Sequence, residues 1–266
     1  MNKIHPLAVV SPSAKLGEDV EVGPFAFIDG NVEIGDGCKI LPHATIFSYV
    51  KMGRDCTVFP GAVVGAVPQD LKFDGEVTYV EIGDRVTIRE CATINRGTKA
   101  SGKLMTRVGS DTLVMSYAHI AHDCCIGNHC ILVSHVALAG ETDVEDWAIV
   151  GGGTLAHQFS RLGQHSMVGA GFKIVKDIPP YVLAGREPVC FEGANRVGLS
   201  RRGFSEEKIN EIKDIYATLY FKGMNISDAL EYIEQNFPRT QERDNIITFI
   251  RNSKRGIINK PRAPRA

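Results

Sequence analysis

Residues 4–46 read IHPLAVVSPSAKLGEDVEVGPFAFIDGNVEIGDGCKILPHATI, and every sixth residue from the first is aliphatic: Ile4, Val10, Leu16, Val22, Ile28, Ile34, Ile40 and Ile46. Met52, Val58 and Val64 continue the series. Four places after each member up to Val58 stands a small or β-branched residue: Ala8, Ala14, Val20, Ala26, Val32, Cys38, Ala44, Val50, Cys56 and Ala62. An amphipathic helix repeats every 3.6 residues and a strand every two, so neither accounts for this pattern. A period of six with two inward positions, and Gly, Asn or Asp at many places between, suits a short strand followed by a tight turn. Three such hexads close a triangular coil, and successive coils stack as parallel strands roughly 4.8 Å apart, each satisfying its neighbour's backbone hydrogen bonds.

Two interruptions carry information. After Val64 the chain reads GAVPQDLKFDGEVTYV, yet the series resumes in phase at Ile82, Ile88 and Ile94, so residues near 66–79 form a projecting loop. A second loop, TKASGKLMTR at 98–107, precedes a restart in a new phase at Val108. Val114, Ile120, Ile126, Leu132, Leu138, Val144, Val150, Ala156, Leu162, Val168 and Ile174 follow. Ile178, Pro179 and Pro180 are expected to end the coil, because proline cannot donate to a strand ladder. The division is therefore a β-helix over 1–183, then a linker containing Arg186 and Pro188 and a small helical domain over 184–266. In that domain Ser205 reads as an N-cap ahead of Ile209, Ile212, Tyr216 and Leu219; Ser227 as a second cap, with Pro238 stopping that helix; and Ile246, Ile247, Phe249 and Ile250 as a third helix. These helices are too short for a core of their own, so they are expected to pack on the coil's end or on a neighbouring subunit.

The chain has 266 residues with 30 Lys plus Arg against 31 Asp plus Glu, a balance that gives no reason to expect nucleic acid or an anionic membrane as partner. No apolar run approaches the ~20 residues a transmembrane helix requires, and the amino terminus lacks signal-peptide features. A soluble cytoplasmic protein is the expectation. Seven cysteines without a CxxC pair support neither a disulfide framework nor a zinc ribbon. Cys38, Cys56, Cys124 and Cys130 fall on the small inward position and read as equivalents of core alanine.

His122 holds the third place of its hexad, between the inward Ile120 and Cys124, so its ring is expected to face outward. Three hexads on lies Gly140, and three more Gln158, which places these residues in one column on consecutive coils. Asp123, Glu141 and Phe159 form the next column. An outward histidine beside a carboxylate, one coil from a glycine, has the parts for general base catalysis with an oxyanion donor. The same spacing is compatible with a simple turn histidine. His5, His43, His129 and His165 have no partner motif and read as turn residues, and Trp147 as a cover on the outer wall or a subunit contact.

PQDLK (68–72), HIAHDC (119–124), LAG (138–140), HQF (157–159), DIPPYV (177–182) and RRGFS (201–205) decide between those readings. Together they resemble, in order and spacing over nearly the whole chain, the acyl-carrier-protein:UDP-N-acetylglucosamine O-acyltransferases of lipid A biosynthesis. The resemblance implies a left-handed β-helix, a homotrimer, and transfer of a 3-hydroxyacyl group from acyl carrier protein to UDP-N-acetylglucosamine with no cofactor and no metal. It implies that His122 takes the proton of the glucosamine 3-hydroxyl, Asp123 orients it and the Gly140 N–H meets the oxyanion. Gln69, Asp70 and Lys72 would line the site of the adjoining subunit; His119, His157 and Gln158 would touch substrate; Asn195, Arg201 and Arg202 would meet the nucleotide and its phosphates. Arg161, Arg186, Arg201 and Arg202 are candidates for docking the acidic carrier.

Three positions depart from the family pattern. Glu141 stands where many members carry a histidine, which leaves open an acceptor bearing a 3-amino group. Val197 replaces a position that is often polar. Ala170 stands where glycine often floors the acyl groove, and its methyl is expected to shorten the chain accepted. The competing readings are a γ-type carbonic anhydrase, a non-catalytic scaffold and the pathway's later N-acyltransferase, which normally carries an extra amino-terminal domain.

Overall fold

A computed structural model describes residues 1–261. Short strands, most of them two residues long, stack into three faces of eleven, nine and eight strands, starting at Lys3–Ile4, Val9–Val10 and Lys15–Leu16. Lys3 pairs with Glu21 and Ile4 with Val22, and the side chains of Lys3 and Glu21, 18 residues apart, bond to each other, so one turn consumes three hexads. Partners across the two interrupted turns lie 30 apart for Arg54 and Asp84 and 26 apart for Arg85 and Asp111. Both insertions therefore leave the coil's register unbroken on either side. The fold is a left-handed parallel β-helix followed by helices.

The aliphatic series forms the core. Ile28, Ile46, Ile88, Ile94, Ile120, Leu132 and Leu138 are fully enclosed, each burial stabilising by roughly 1.5–3 kcal/mol. Ile4, at the open end of the stack, has no coil beneath it and is 45% exposed. The small inward residues do more than alanine would: the thiols of Cys38, Cys56, Cys124 and Cys130 donate to the carbonyls of Gly53, Gly83, Ala139 and Glu145 on the next coil. The cysteines are inward, as expected, but they act as weak donors that tie coils together.

Most corners turn through one residue in the left-handed region. Phe25, His43, Tyr49, Asp123, Glu141 and Trp147 have φ between +58° and +68°, a conformation that aspartate tolerates better than a bulky side chain does. The residue before it leaves its N–H outside the ladder. Pro6, Pro12, Pro24, Pro42 and Pro60 occupy this place without disturbing the stack, because the backbone ladder asks no N–H of it; where no proline stands, as at Glu18, Arg54 and Asn128, that N–H donates to an aspartate carboxylate on the next coil. His122 and Gly140 hold the same place.

The C-terminal part differs from the sequence expectation in three respects. Pro179 and Pro180 do not end the sheet: Val182–Gly185 adds to the eleven-stranded face in parallel and turns back, antiparallel, into Cys190–Ala194. The stretch around Arg186 and Pro188 is thus the turn of a hairpin and not a linker. A short helix α1, Arg196–Arg201, precedes α2 (Glu206–Phe221), α3 (Ile226–Asn236) and α4 (Gln241–Arg251). Ser205 caps α2 as expected, whereas Asn225 and not Ser227 caps α3, its side-chain oxygen accepting from the Asp228 N–H. An asparagine in the extended region serves that role as well as serine does. The helices sit on the end of their own coil, where the buried Tyr216 hydroxyl donates to the Pro180 carbonyl at 2.6 Å and Arg161 lies over the Phe249 ring.

Candidate active site

His122 sits at the corner between the second and third faces, after strand His119–Ile120 and before Cys125–Ile126. Its Nδ1 lies 2.8 Å from Oδ2 of Asp123, whose side chain is wholly buried while that of His122 is 12% exposed. A solvent-edge imidazole held from behind by an enclosed carboxylate has its Nε2 free to face a ligand. The hydrogen bond to Asp123 raises the His122 pKa above its ordinary value; burial opposes this, and the charges of Asp123, Asp70 and Glu141 add to the rise. Burial alone would raise the Asp123 carboxyl, but hydrogen bonds from His122 and Thr98 outweigh it and hold that group below its usual range.

Gly140 lies directly over the ring. A Cβ at that position would stand 2.4 Å from both Cε1 and Nε2 of His122. Only glycine lets the imidazole lie there, and the N–H of Gly140 has no acceptor among the described residues. The column drawn from the sequence is present: the Glu141 N–H donates to the His122 carbonyl and the Phe159 N–H to the Gly140 carbonyl.

The first loop reaches this corner within the same chain. Asp70 Oδ2 stands 3.8 Å from His122 Nε2, while its Oδ1 accepts from the Lys72 N–H. The resemblance implied a loop serving the adjoining subunit; here Asp70 lies against its own histidine. Asn95 and Arg96 hold the loop there, through the Asn95 amide to the Val67 carbonyl, the Arg96 N–H to the Ala66 carbonyl, and the Arg96 guanidinium over the rings of Tyr49 and Phe73. Gln69 and Lys72 are exposed. His119, one strand position before the corner, meets Thr93 Oγ1 through its Nδ1 at 2.7 Å, and burial followed by the nearby His122 lowers its pKa.

The second loop is not a free projection either. Thr98 donates its N–H and its hydroxyl to Asp123, and Lys103 Nζ reaches both the Asp123 carbonyl and Asp143. Lys103, Glu141, Asp143, Phe159, Arg161, Asp177, Asn252, Lys254 and Arg255 line a cleft of about 700 Å³ that opens beside Glu141. In the same column as His122, Gln158 gives its carbonyl to Arg255, and the neighbouring His157 is exposed.

The remaining candidates occupy other corners. Ala170 is exposed at the corner between the first and second faces. Asn195 and Arg202 gather at the corner between the third and first, around His165. The Asn195 amide donates to the His165 carbonyl and its oxygen caps α1, so this side chain is a structural fixture. Arg202 lies over Trp147 and meets His165 Nδ1, in a stack that runs His129, Trp147, His165, Tyr181. His129 and His165 are turn residues, as expected, but they are partnered by Trp147. Arg201 and Val197 are exposed, Arg186 pairs with Glu192, and Arg161 pairs with Glu145.

Sequence reasoning missed Thr98, Lys103, Asn95 and Arg96, all of which lie where the six-residue period fails. The only signal pointing to them was the failure itself.

Residues 177–258 match the family model described as UDP-N-acetylglucosamine O-acyltransferase, domain 2, and residues 13–48 and 105–140 match the bacterial transferase hexapeptide model. An acyl-[acyl-carrier-protein]–UDP-N-acetylglucosamine O-acyltransferase from Janthinobacterium is 48% identical over 97% of this chain and 100% of its own length. One of the same name from Thiobacillus denitrificans is 46% identical over 97% of this chain and 100% of its own. The crystal structure of a UDP-N-acetylglucosamine acyltransferase from Bacteroides fragilis superposes with a TM-score of 0.93 at 49% identity, covering 96% of this chain and 100% of that one. With a full-length match in both sequence and fold, the chain belongs to the UDP-N-acetylglucosamine O-acyltransferase family.

Proposed function

We propose that this protein transfers a 3-hydroxyacyl group from acyl carrier protein to the glucosamine 3-hydroxyl of UDP-N-acetylglucosamine, the first step of lipid A biosynthesis. The observation that carries the reading is the His122 imidazole, hydrogen-bonded to the enclosed Asp123 and lying across Gly140. Neutral His122 accepts the hydroxyl proton at Nε2 as the sugar oxygen attacks the thioester carbonyl carbon. The carbonyl oxygen becomes an oxyanion and receives the unused N–H of Gly140. Collapse breaks the carbon–sulfur bond, and the leaving thiolate takes the proton from the imidazolium. No acyl-enzyme forms, so no serine or cysteine nucleophile is needed.

His119, Asp70 and Glu141 face the same corner and are the side chains placed to meet the sugar, with Gln69, Lys72, His157 and Gln158 at its margins. Asn195, Arg201 and Arg202 in the nucleotide end, and Ala170 at the floor of the acyl groove, lie at other corners of this chain. A three-fold assembly sets one chain's corner against a different corner of its neighbour, and a homotrimer with shared clefts follows. No helix among the described residues is long and apolar enough to cross a membrane, and all seven cysteines are free thiols. A cytoplasmic location, where reduced thiols and acyl carrier protein coexist, fits both observations.

The test is a transfer assay with 3-hydroxyacyl carrier protein and UDP-N-acetylglucosamine across pH. The base works only when neutral, and its pKa lies above the ordinary value of about 6.5. We expect kcat/KM to fall as pH drops through a midpoint above that value. Absence of transfer, or a rate unchanged down to pH ~5, where an imidazole of this kind is protonated, contradicts the reading.

A further inference from the structure

Thr98 lies at the foot of the second loop and is 1% exposed. Its hydroxyl donates to Asp123 Oδ2 at 2.6 Å, the same oxygen that meets His122 Nδ1 at 2.8 Å. Its N–H reaches both carboxylate oxygens, at 2.9 and 3.1 Å. The hydroxyl oxygen in turn accepts from the Ser101 N–H. The chain of bonds therefore runs from the Ser101 N–H through the Thr98 hydroxyl and Asp123 to His122.

The foot of the loop is closely packed and hydrogen-bonded. A Cβ on Gly97 would stand 2.1 Å from the Met105 nitrogen, so the entering and leaving strands of the loop touch. The Asp123 N–H donates to Thr106 Oγ1 and Lys103 Nζ meets the Asp123 carbonyl, which fixes the same aspartate from the leaving side.

We propose that Thr98 is a positioning residue for acyl transfer, its hydroxyl holding Asp123 in the orientation that aims His122 Nε2 at the acceptor. This rests on His122 being the base. The hydroxyl dipole presents its positive end to the carboxylate that faces the imidazole, so it sets both the aim of the ring and its proton affinity. Asp70 from the first loop, Glu141 from the next coil and His119 from the preceding strand also face His122 and remain unchanged when Thr98 is replaced.

The test compares Thr98→Val and Thr98→Ser with wild type in the transfer assay, alongside His122→Ala, with circular dichroism to establish that each is folded. Valine keeps the shape and the backbone N–H bonds and removes only the hydroxyl. Thr98→Val is expected to lose roughly tenfold or more in kcat, with KM for the sugar nucleotide little changed and the acid limb of kcat/KM moved to higher pH. Thr98→Ser is expected to recover most of the rate and the wild-type limb. A Thr98→Val enzyme with wild-type kcat and pH profile overturns the proposal. So does a loss confined to KM, or a Thr98→Ser variant that is folded but as slow as valine. If His122→Ala itself keeps full activity, the base assignment falls and takes this proposal with it; if His122→Ala is inactive while Thr98→Val is normal, only Thr98 loses its role.

Discussion

Replacing His122 with alanine is expected to lower kcat for acyl transfer roughly a hundredfold to ten-thousandfold, the range associated with loss of a positioned general base. The substitution removes the side chain that lies against Gly140 and bonds to Asp123 at this corner. It creates no cavity in the aliphatic column, because the ring sits outside that column with Ile120 and Cys124 pointing in. The fold should therefore persist, and the loss should appear in kcat with a much smaller change in KM for the sugar nucleotide. The alanine also leaves Asp123 buried without its imidazole, although three hydrogen bonds from Thr98 remain on it. Steady-state transfer rates on protein verified by circular dichroism check this expectation, and a folded variant that retains a tenth of the wild-type kcat contradicts it.

Gly140→Ala is expected to cost a comparable amount by a different route. The methyl would stand 2.4 Å from the ring of His122, closer than atoms approach without movement, so the imidazole must swing away from Asp123. The same methyl crowds the N–H offered to the oxyanion, and loss of one such donor is worth roughly a hundredfold to a thousandfold. The two contributions separate in a double mutant. In a His122→Ala background the ring is no longer there to be displaced, so Gly140→Ala should cost less than it does alone. Full additivity of the two losses would show that the glycine does not act through the histidine. Tight packing does not by itself dictate either result: Gly35 and Gly53 also sit close to backbone of the next coil, yet neither adjoins a titratable ring.

The β-helix was legible because its physics is periodic. Each coil repeats the same burial requirement, so a single aliphatic position recurs from Ile4 to Ile174 and the outward face of His122 follows by subtraction. The column from His122 to Gly140 to Gln158 was legible for the same reason, since the turn length converts directly into adjacency. What periodicity does not encode is how a non-repeating segment folds back. Thr98 on Asp123, Asp70 on His122 and Arg96 beneath the first loop are contacts between the interruptions and the coil, and no spacing rule addresses them. The hairpin at Val182–Gly185 was missed for a related reason. Two prolines ahead of a strand forbid donation only at their own positions, and the strand that follows them is free to pair. The capping of α3 by Asn225 in place of Ser227 is a difference of two residues between equally good caps, which composition does not resolve.

The two loops share one arrangement. Glu76 on the first accepts from the Lys99 N–H on the second, so the segment carrying Asp70 and the segment clamping Asp123 are joined above the same histidine. His122 is thereby approached from in front by one loop and braced from behind by the other. A rigid coil supplies the spacing of His122 and Gly140, while non-repeating chain supplies the groups that tune them.

A crystal structure of the protein with UDP-N-acetylglucosamine bound examines this geometry most directly. The glucosamine 3-hydroxyl oxygen should lie within about 3.2 Å of His122 Nε2, with Asp123 still on Nδ1 and the N–H of Gly140 left open toward the donor side. A sugar seated elsewhere, or one whose 3-hydroxyl faces a different side chain while Nε2 stays out of reach, would show that His122 is not the group that takes its proton.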